Sequence, residues 1–338
     1  MRYDEAGVDV AAGDAVKRTI GECIRSTWGP AVHPIPGGFA GVMRWPAGDR
    51  WMAATMDGVG TKLHLALAAG RLEDACADLV YHCADDLLAH GARPLAFLDY
   101  LAQARLDAAR VEAAVRGMAR ACSEVGAALL GGETAQMPDT YLPGVIDVAG
   151  CMIGEVDGRR LRDGSAVTPG DVLIGLGAEG LHTNGFSLAR RVLERTGASL
   201  DARLPGGDGE SLADSLLAPH RWYGRAVEPL LDDTAIHALA HITGGGIAGN
   251  LVRVLPTGCA ARIRSDAWPR PAVFGWLASA GSIDESELRH TFNLGIGLIL
   301  ICEARSVAEV TARLTAAGER AWRLGEIEAG SRGVSWAD

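Results

Sequence analysis

The sequence predicts an α/β (α+β) protein of two domains, and three observations carry that prediction. Apolar runs of strand character alternate with amphipathic helical segments along the chain. Acidic residues stand repeatedly where such a strand gives way to a turn, at Asp57 and Glu133. At 338 residues the chain is about twice the usual single-domain length and can bury two cores. The expected division is 1–170 and 171–338, an N-terminal mixed-sheet domain followed by a C-terminal α/β domain.

Taken in order, a short helix is expected from Asp14 to Arg25, then a loop at HPIPGGFAG, where Pro and Gly punctuate the chain. RWMAATMDGV reads as a strand ending in Asp57. Gly58 and Gly60 allow a tight turn before a helix that begins near Lys62. Leu72 to His90 has helical periodicity, with Leu79, Cys83, Asp86 and His90 on one stripe. PLAFLDYLA is a strand, Asp107 to Val125 a helix, AALLGG a strand ending at Glu133, and VIDVAGCMIGEV a further strand. The polar segment DGRRLRDGSAVTPGD is the crossing into the second domain. There VLIGLG, the helix SLARRVLERTG, AIHALAHITGGGIAGNLVRVL, the buried strand TFNLGIGLILIC and a final helix follow.

Composition narrows the function. With 48% apolar and 22% charged residues and a mean hydropathy of +0.11, disorder, collagen-like repeats and a small disulfide scaffold are excluded. A net charge of −10 without a run of Lys and Arg speaks against coating nucleic acid or an anionic membrane, so any phosphate must be met locally. No apolar stretch approaches the roughly 20 residues of a membrane span, and MRYDEAG has no secretory pattern, so a cytoplasmic protein is expected. The cysteines at 23, 76, 83, 122, 151, 259 and 302 are odd in number and form no CxxC, which suits reduced thiols rather than disulfides or a zinc site. Of 32 basic residues only Lys17 and Lys62 are lysine. A compact ammonium kept where arginine has otherwise replaced it points to a functional Lys62.

The chemistry-bearing segment is Asp57-Gly58-Val59-Gly60-Thr61-Lys62. It is not a GxxxxGK[ST] loop, yet it offers a carboxylate for Mg²⁺, backbone N–H groups and a lysine for phosphates. The competing interpretation is a tight turn capped by Asp or Thr. In Asp85-Asp86, helical phase points Asp86 inward and rotates Asp85 away. Glu133 is a third possible ligand or a turn cap, and Asp147 a fourth acid in an apolar strand. His182-Thr183-Asn184-Gly185 lies between a strand and a helix, where polar groups converge in α/β sites. Gly244-Gly245-Gly246 before a helix is either an anion nest or a turn.

Together AGVDVAAG, PGGFAG, DGVGTK, GARPLAFLDY, GGETAQMP, HTNGFSL, HITGGG and TFNLGIG resemble the phosphoribosylformylglycinamidine cyclo-ligase (aminoimidazole ribonucleotide synthetase) family in order and spacing, over essentially the full length. The resemblance implies ATP and Mg²⁺, a phosphoribosyl small-molecule substrate, and a homodimer whose N-terminal sheets pair. Asp57, Asp86 and Glu133 would hold Mg-ATP together with Gly58, Gly60 and Thr61, and Lys62 would contact its phosphates. The loop with Gly37 and Gly38 would close over the nucleotide. His182 and Asn184 would face the reacting group, and Gly244, Gly245 and Gly246 would seat a substrate phosphate. The implied activity is ATP-dependent cyclisation of formylglycinamidine ribonucleotide to aminoimidazole ribonucleotide through a phosphorylated formyl oxygen, a step of purine biosynthesis. The chain departs from the family pattern at Asp85 (usually Asn), Gln136 (usually Glu), His290 (usually Arg) and near Gly21 (commonly Lys). A diverged member of the same ATP-dependent superfamily, such as a thiamine-phosphate kinase, and a catalytically silent nucleotide-binding partner protein remain the alternatives.

Overall fold

The computed structural model describes residues 1–6, 20, 24–35, 37–45 and 49–337. The helix expected from Asp14 to Arg25, with Lys17, Gly21 and Cys23, and the AGVDVAAG segment lie largely outside the described residues.

Two six-stranded sheets organise the chain. The first is built from β1 (Val32–His33), β2 (Gly41–Arg44), β3 (Arg50–Gly58), β4 (Arg93–Gln103), β5 (Ala128–Gln136) and β6 (Ile146–Asp157), in the order β1-β2-β3-β6-β4-β5. Among the described residues of this sheet only β4 and β5 run parallel, because the crossover helix between them returns the chain to the same end of the sheet. The second sheet follows from Val172: β7 (Val172–Gly177), β8 (Ile236–His241), β9 (Cys259–Arg264), β10 (Ile296–Cys302), β11 (Ala321–Ala329) and β12 (Gly333–Ala337), ordered β12-β9-β11-β7-β10-β8. Its central strands β7 and β10 are buried at every position, which their unbroken apolar runs require.

The helices among the described residues are α1 (Lys62–Ala68), α2 (Leu72–Leu88), α3 (Ala108–Val125), α4 (Phe186–Thr196), α5 (Leu212–Leu216), α6 (Gly224–Val227), α7 (Gly246–Leu251), α8 (Ala272–Gly281), α9 (Glu285–Thr291) and α10 (Val307–Ala316). At α3 the Asp107 carboxylate accepts from Arg110 N, and Gly126 ends the helix at φ 78°. Helices α2 and α3 cover one face of the first sheet. Along β6 burial alternates residue by residue, so Val148 and Met152 face the helices while Ala149, Cys151 and Ile153 face outward. The outward row continues sideways: Cys151 is registered with Met56 on β3 and with Leu98 on β4.

Helix α2 decides where the site lies. It touches β3 and β6 on one side and β8 and α6 of the second half on the other, so even its polar residues Asp78, His82, Asp85 and Asp86 are buried. The strand expected to end at Glu133 continues to Gln136, since its parallel ladder with β4 runs on to Gln103.

Candidate active site

The site forms where α2 meets the carboxyl end of β3 and the loops of the second half. Asp57, last but one on β3, sets Oδ2 2.8 Å from His82 Nε2, while its Oδ1 accepts from Gly58 N at 2.7 Å. His82 Nδ1 lies 2.5 Å from Thr183 Oγ1, in the loop after β7. One helical turn beyond His82, Asp86 places Oδ1 2.8 Å from Nδ1 of His241, the last residue of β8, and its Oδ2 accepts from Thr55 Oγ1 at 3.3 Å. His220 closes the group from the loop before α6, with Nε2 3.4 Å from Asp85 Oδ2, and its ring stacks on His182 at 4.0 Å. One oxygen or nitrogen from each of Asp57, His82 and Asp86 falls within 4.8 Å of the others.

Burial sets the charge states. It penalises the Asp57 carboxylate, but His82 and the Gly58 N–H outweigh it and hold the acid below its ordinary range. Burial likewise opposes charge on His82, yet Asp57, then Asp86 and Asp78, lift it above the usual imidazole value. His241 is lowered by burial in spite of Asp86. His182 and His220 are pushed well down by burial and by neighbouring rings, so both are neutral at pH 7. Asp85 is pushed far up by burial, against the Tyr223 N–H it accepts.

Of the residues singled out in the sequence, Asp57 and Asp86 come together, and Gly58, Gly60 and Thr61 form the turn beside them. Thr61 does not cap α1; its Oγ1 lies 3.0 Å from Ser187 Oγ of the second half. Gly37 and Gly38 are held down by Arg253, whose guanidinium donates to both carbonyls at 2.5 and 3.0 Å and lies over the Phe39 ring at 3.8 Å. Asn184 borders the triple glycine: a Cβ on Gly244 would stand 3.5 Å from its Nδ2. Asn250 pins that turn by donating to the carbonyls of Thr243, Gly244 and Gly246. Beside it opens a cleft of about 350 Å³ lined by Gly245, Ala248, Gly249, Arg289, His290 and Trp336.

Four expectations need correction. Lys62 is not presented to a phosphate: it is 1% exposed, with Nζ 2.5 Å from Asp78 Oδ2 and 2.6 Å from the His182 carbonyl. Asp85 is not rotated to solvent but fully buried, because the second half covers the flank of α2 that a lone helix would expose. Glu133 does not join Asp57 and Asp86 within one chain. It pairs with Tyr100, Tyr100 with Ala149 and Ala149 with Gly58, so three inter-strand steps, roughly 14 Å, separate it from β3. His182, expected to face the reacting group, is instead 1% exposed, its backbone at φ 57° and its ring against His220 and Tyr223. Asp147 accepts from Tyr141 Oη at 3.2 Å, away from the cluster.

Sequence reasoning missed His82, His220 and His241, and gave Thr183 no role of its own within the His182–Gly185 segment. Asp78, His82 and Asp86 recur at intervals of four on α2, a signal that was available. His220 had none, since only the tertiary fold carries that loop to α2.

Comparison with known proteins agrees with this architecture. Residues 37–156 match the AIR synthase related protein N-terminal domain, and residues 168–338 its C-terminal domain. The chain is similar to the phosphoribosylformylglycinamidine cyclo-ligase of Sorangium cellulosum, at 45% identity over 97% of this chain and 95% of that protein. It is also similar to the enzyme of the same name from Trichlorobacter lovleyi, at 42% identity over 98% and 95%. Among solved structures, T. maritima PurL complexed with AMPPCP shares the fold, with a TM-score of 0.57 at 15% identity, covering 87% of this chain and 43% of that one.

Proposed function

The chain belongs to the phosphoribosylformylglycinamidine cyclo-ligase family, and from that membership we propose that it uses ATP to cyclise formylglycinamidine ribonucleotide to aminoimidazole ribonucleotide in purine biosynthesis. The observation that carries the reading to this site is the convergence of Asp57 and Asp86 beside the Gly58–Gly60 turn, at the junction of the two halves. An amide oxygen is a poor leaving group, so the ring closes only after that oxygen has taken the γ-phosphoryl of ATP, whereupon a nitrogen attacks and phosphate departs. The protein's work is positioning and charge neutralisation.

The donor set fits the metal that such chemistry employs. Carboxylate oxygens are the hard ligands Mg²⁺ takes, and Asp57 is 43% exposed and open to a nucleotide. Bound there with ATP, Mg²⁺ supplies neutralisation of phosphate charge. The Gly58 and Gly60 backbone allows close approach of phosphate oxygens, and Gly37 and Gly38 form the edge that lies over the nucleotide. Gly244, Gly245 and Gly246 seat the substrate phosphate, with Asn184 as the side chain that meets the reacting group. His182 orients that loop, its carbonyl tied to Lys62. Lys62 thus acts by holding the two halves in register.

We read the chain as two units, 1–170 and 171–338, working in the cytoplasm; none of the helices among the described residues is long and apolar enough to cross a membrane. We also assign a homodimer formed through the outer face of the first sheet. Met56 is 68% exposed there, in line with Leu98 through Cys151, and Leu130, at the register shift beside Leu98, is 66% exposed, an apolar patch that a second sheet would cover. The test is purified protein with formylglycinamidine ribonucleotide, ATP and Mg²⁺, followed for the aminoimidazole product. ADP release without that product would replace this reading with a kinase of the same fold.

A further inference from the structure

Three histidines at the junction are arranged for a different ligand class from the carboxylates beside them. We propose that His82, His220 and His241 form a nitrogen-donor site for a borderline divalent transition metal of the Zn²⁺ type, joining the two halves of the chain. Each offers one ring nitrogen within 4.8 Å of the other two. Their centroids form a nearly equilateral triangle, 4.9 Å from His82 to His241, 5.3 Å from His220 to His241 and 5.4 Å from His82 to His220. The planes cross at 61° to 71°, so ring edges, where the nitrogens are, turn toward the partner rings rather than lying face to face.

Two of the three rings are backed by a carboxylate. His241 Nδ1 lies 2.8 Å from Asp86 and His82 Nε2 2.8 Å from Asp57, while His82 Nδ1 lies 2.5 Å from the Thr183 hydroxyl, which an ion would displace; His220 Nε2 stands 3.4 Å from Asp85 without a hydrogen bond. A carboxylate behind an imidazole is the outer shell of histidine metal sites, where it fixes the tautomer and raises ligand basicity. A second observation points to a ligand. His241 Nε2 and both nitrogens of His220 are buried and have no hydrogen-bond partner among the described residues, on rings 0% and 2% exposed. Buried imidazoles that served packing alone would ordinarily have found donors or acceptors.

Three imidazoles select Zn²⁺, Co²⁺ or Ni²⁺ over Mg²⁺, which prefers oxygen. Zinc–nitrogen bonds of about 2.0–2.1 Å bring tetrahedral donors to about 3.3 Å from one another, so the rings need only draw together from the separation present. The half-exposed Asp57 stands beside His82 as the way in from solvent. The cysteine pattern gave no zinc signal because the donors are histidines from α2, the loop before α6 and the end of β8. One of them comes from the first half and two from the second, so an ion would fasten the halves to each other.

The probe is Co²⁺ titrated into the full-length, metal-stripped protein. One equivalent per chain should give the visible bands of four- or five-coordinate Co²⁺. Zn²⁺ should abolish them and excess Mg²⁺ leave them unchanged. His220→Gln and His82→Met should each weaken binding at least tenfold, whereas His237→Gln, remote from the cluster, should not. X-ray absorption of the native Zn²⁺ protein should show about three nitrogens at 2.0–2.1 Å, a readout that survives if a variant fails to fold. Sub-stoichiometric binding, bands displaced by Mg²⁺, affinity indifferent to both substitutions, or an oxygen-only shell would each overturn the assignment.

Discussion

Lys62 and Asp78 form an ion pair whose side chains are 1% and 2% exposed, Nζ to Oδ2 2.5 Å, and the ammonium also donates to the His182 carbonyl at 2.6 Å. The second carboxylate oxygen of Asp78 accepts from His220 N at 2.8 Å. A lysine of α1, an acid of α2 and two loops of the second half are thus fastened by one pair of charges. Breaking it strands a charge in a dry interior. Lys62→Met should therefore cost about 3–5 kcal/mol of stability, and Lys62→Met/Asp78→Leu less than Lys62→Met alone. Denaturant titration of the single and double variants measures both. A raised KM for ATP at unchanged stability would return Lys62 to phosphate binding.

Asp57→Asn and Asp86→Asn should each lower kcat about 100-fold or more. Neither replacement changes side-chain volume, so both proteins should fold. Because Asp57 is open to solvent while Asp86 is held by His241 and Thr55, extra Mg²⁺ should recover part of the loss in Asp57→Asn and little in Asp86→Asn. Initial rates across a Mg²⁺ series at saturating substrate decide this.

Gly246 opens α7 at φ 63°, and a Cβ there would lie 2.0 Å from the Arg289 carbonyl oxygen. Gly246→Ala must displace backbone and should destabilise by about 1–3 kcal/mol, while raising KM for the phosphoribosyl substrate. Gly249, with no atom within 4 Å of a built Cβ, is the control, and Gly249→Ala should behave as the parent in thermal unfolding.

Glu155 on β6 accepts from Arg50 on β3 and from Arg93 on β4, and the Arg50 hydrogen bond leads in holding its carboxyl below the usual range. An acid depressed in the folded state contributes stability above its unfolded pKa and loses it as pH falls through the folded value. Glu155→Gln should cost about 1 kcal/mol at pH 7 and distinctly less near pH 3. Urea midpoints of both proteins at the two pH values test the sign.

Met56→Arg or Leu130→Arg should convert a dimer to monomers in sedimentation velocity without lowering the thermal midpoint of the monomer. Each residue is mostly exposed in the single chain, and an arginine there would bury a charge only against a second sheet.

Strand and helix alternation was legible because burial on one or both faces leaves a period in the sequence. VLIGLG and TFNLGIGLILIC announce buried strands, and the Asp107 cap and Gly126 mark the two ends of α3. Asp57 and Asp86 could be picked out by position and phase, and the fold brings them together. Glu133 could not be placed, since the distance between β3 and β5 depends on β6 and β4 being inserted between them. Asp85 was misread because helical phase describes a helix with one covered face, and α2 is covered on two.

The sequence by itself determined the α/β alternation and the family. These rest on local periodicity and on motifs contiguous in the chain. Tertiary structure alone decided the partners: Lys62 with Asp78, Asp86 with His241, Asp85 with His220. Members of the last two pairs are more than a hundred residues apart, and a charged or imidazole group shows nothing in its own neighbourhood of sequence about which distant group will share its burial. What fixes the pairing is the packing of α2 between the halves, which takes polar groups such as Asp78 and Asp86 from water and sets them against the groups that the opposite surface brings.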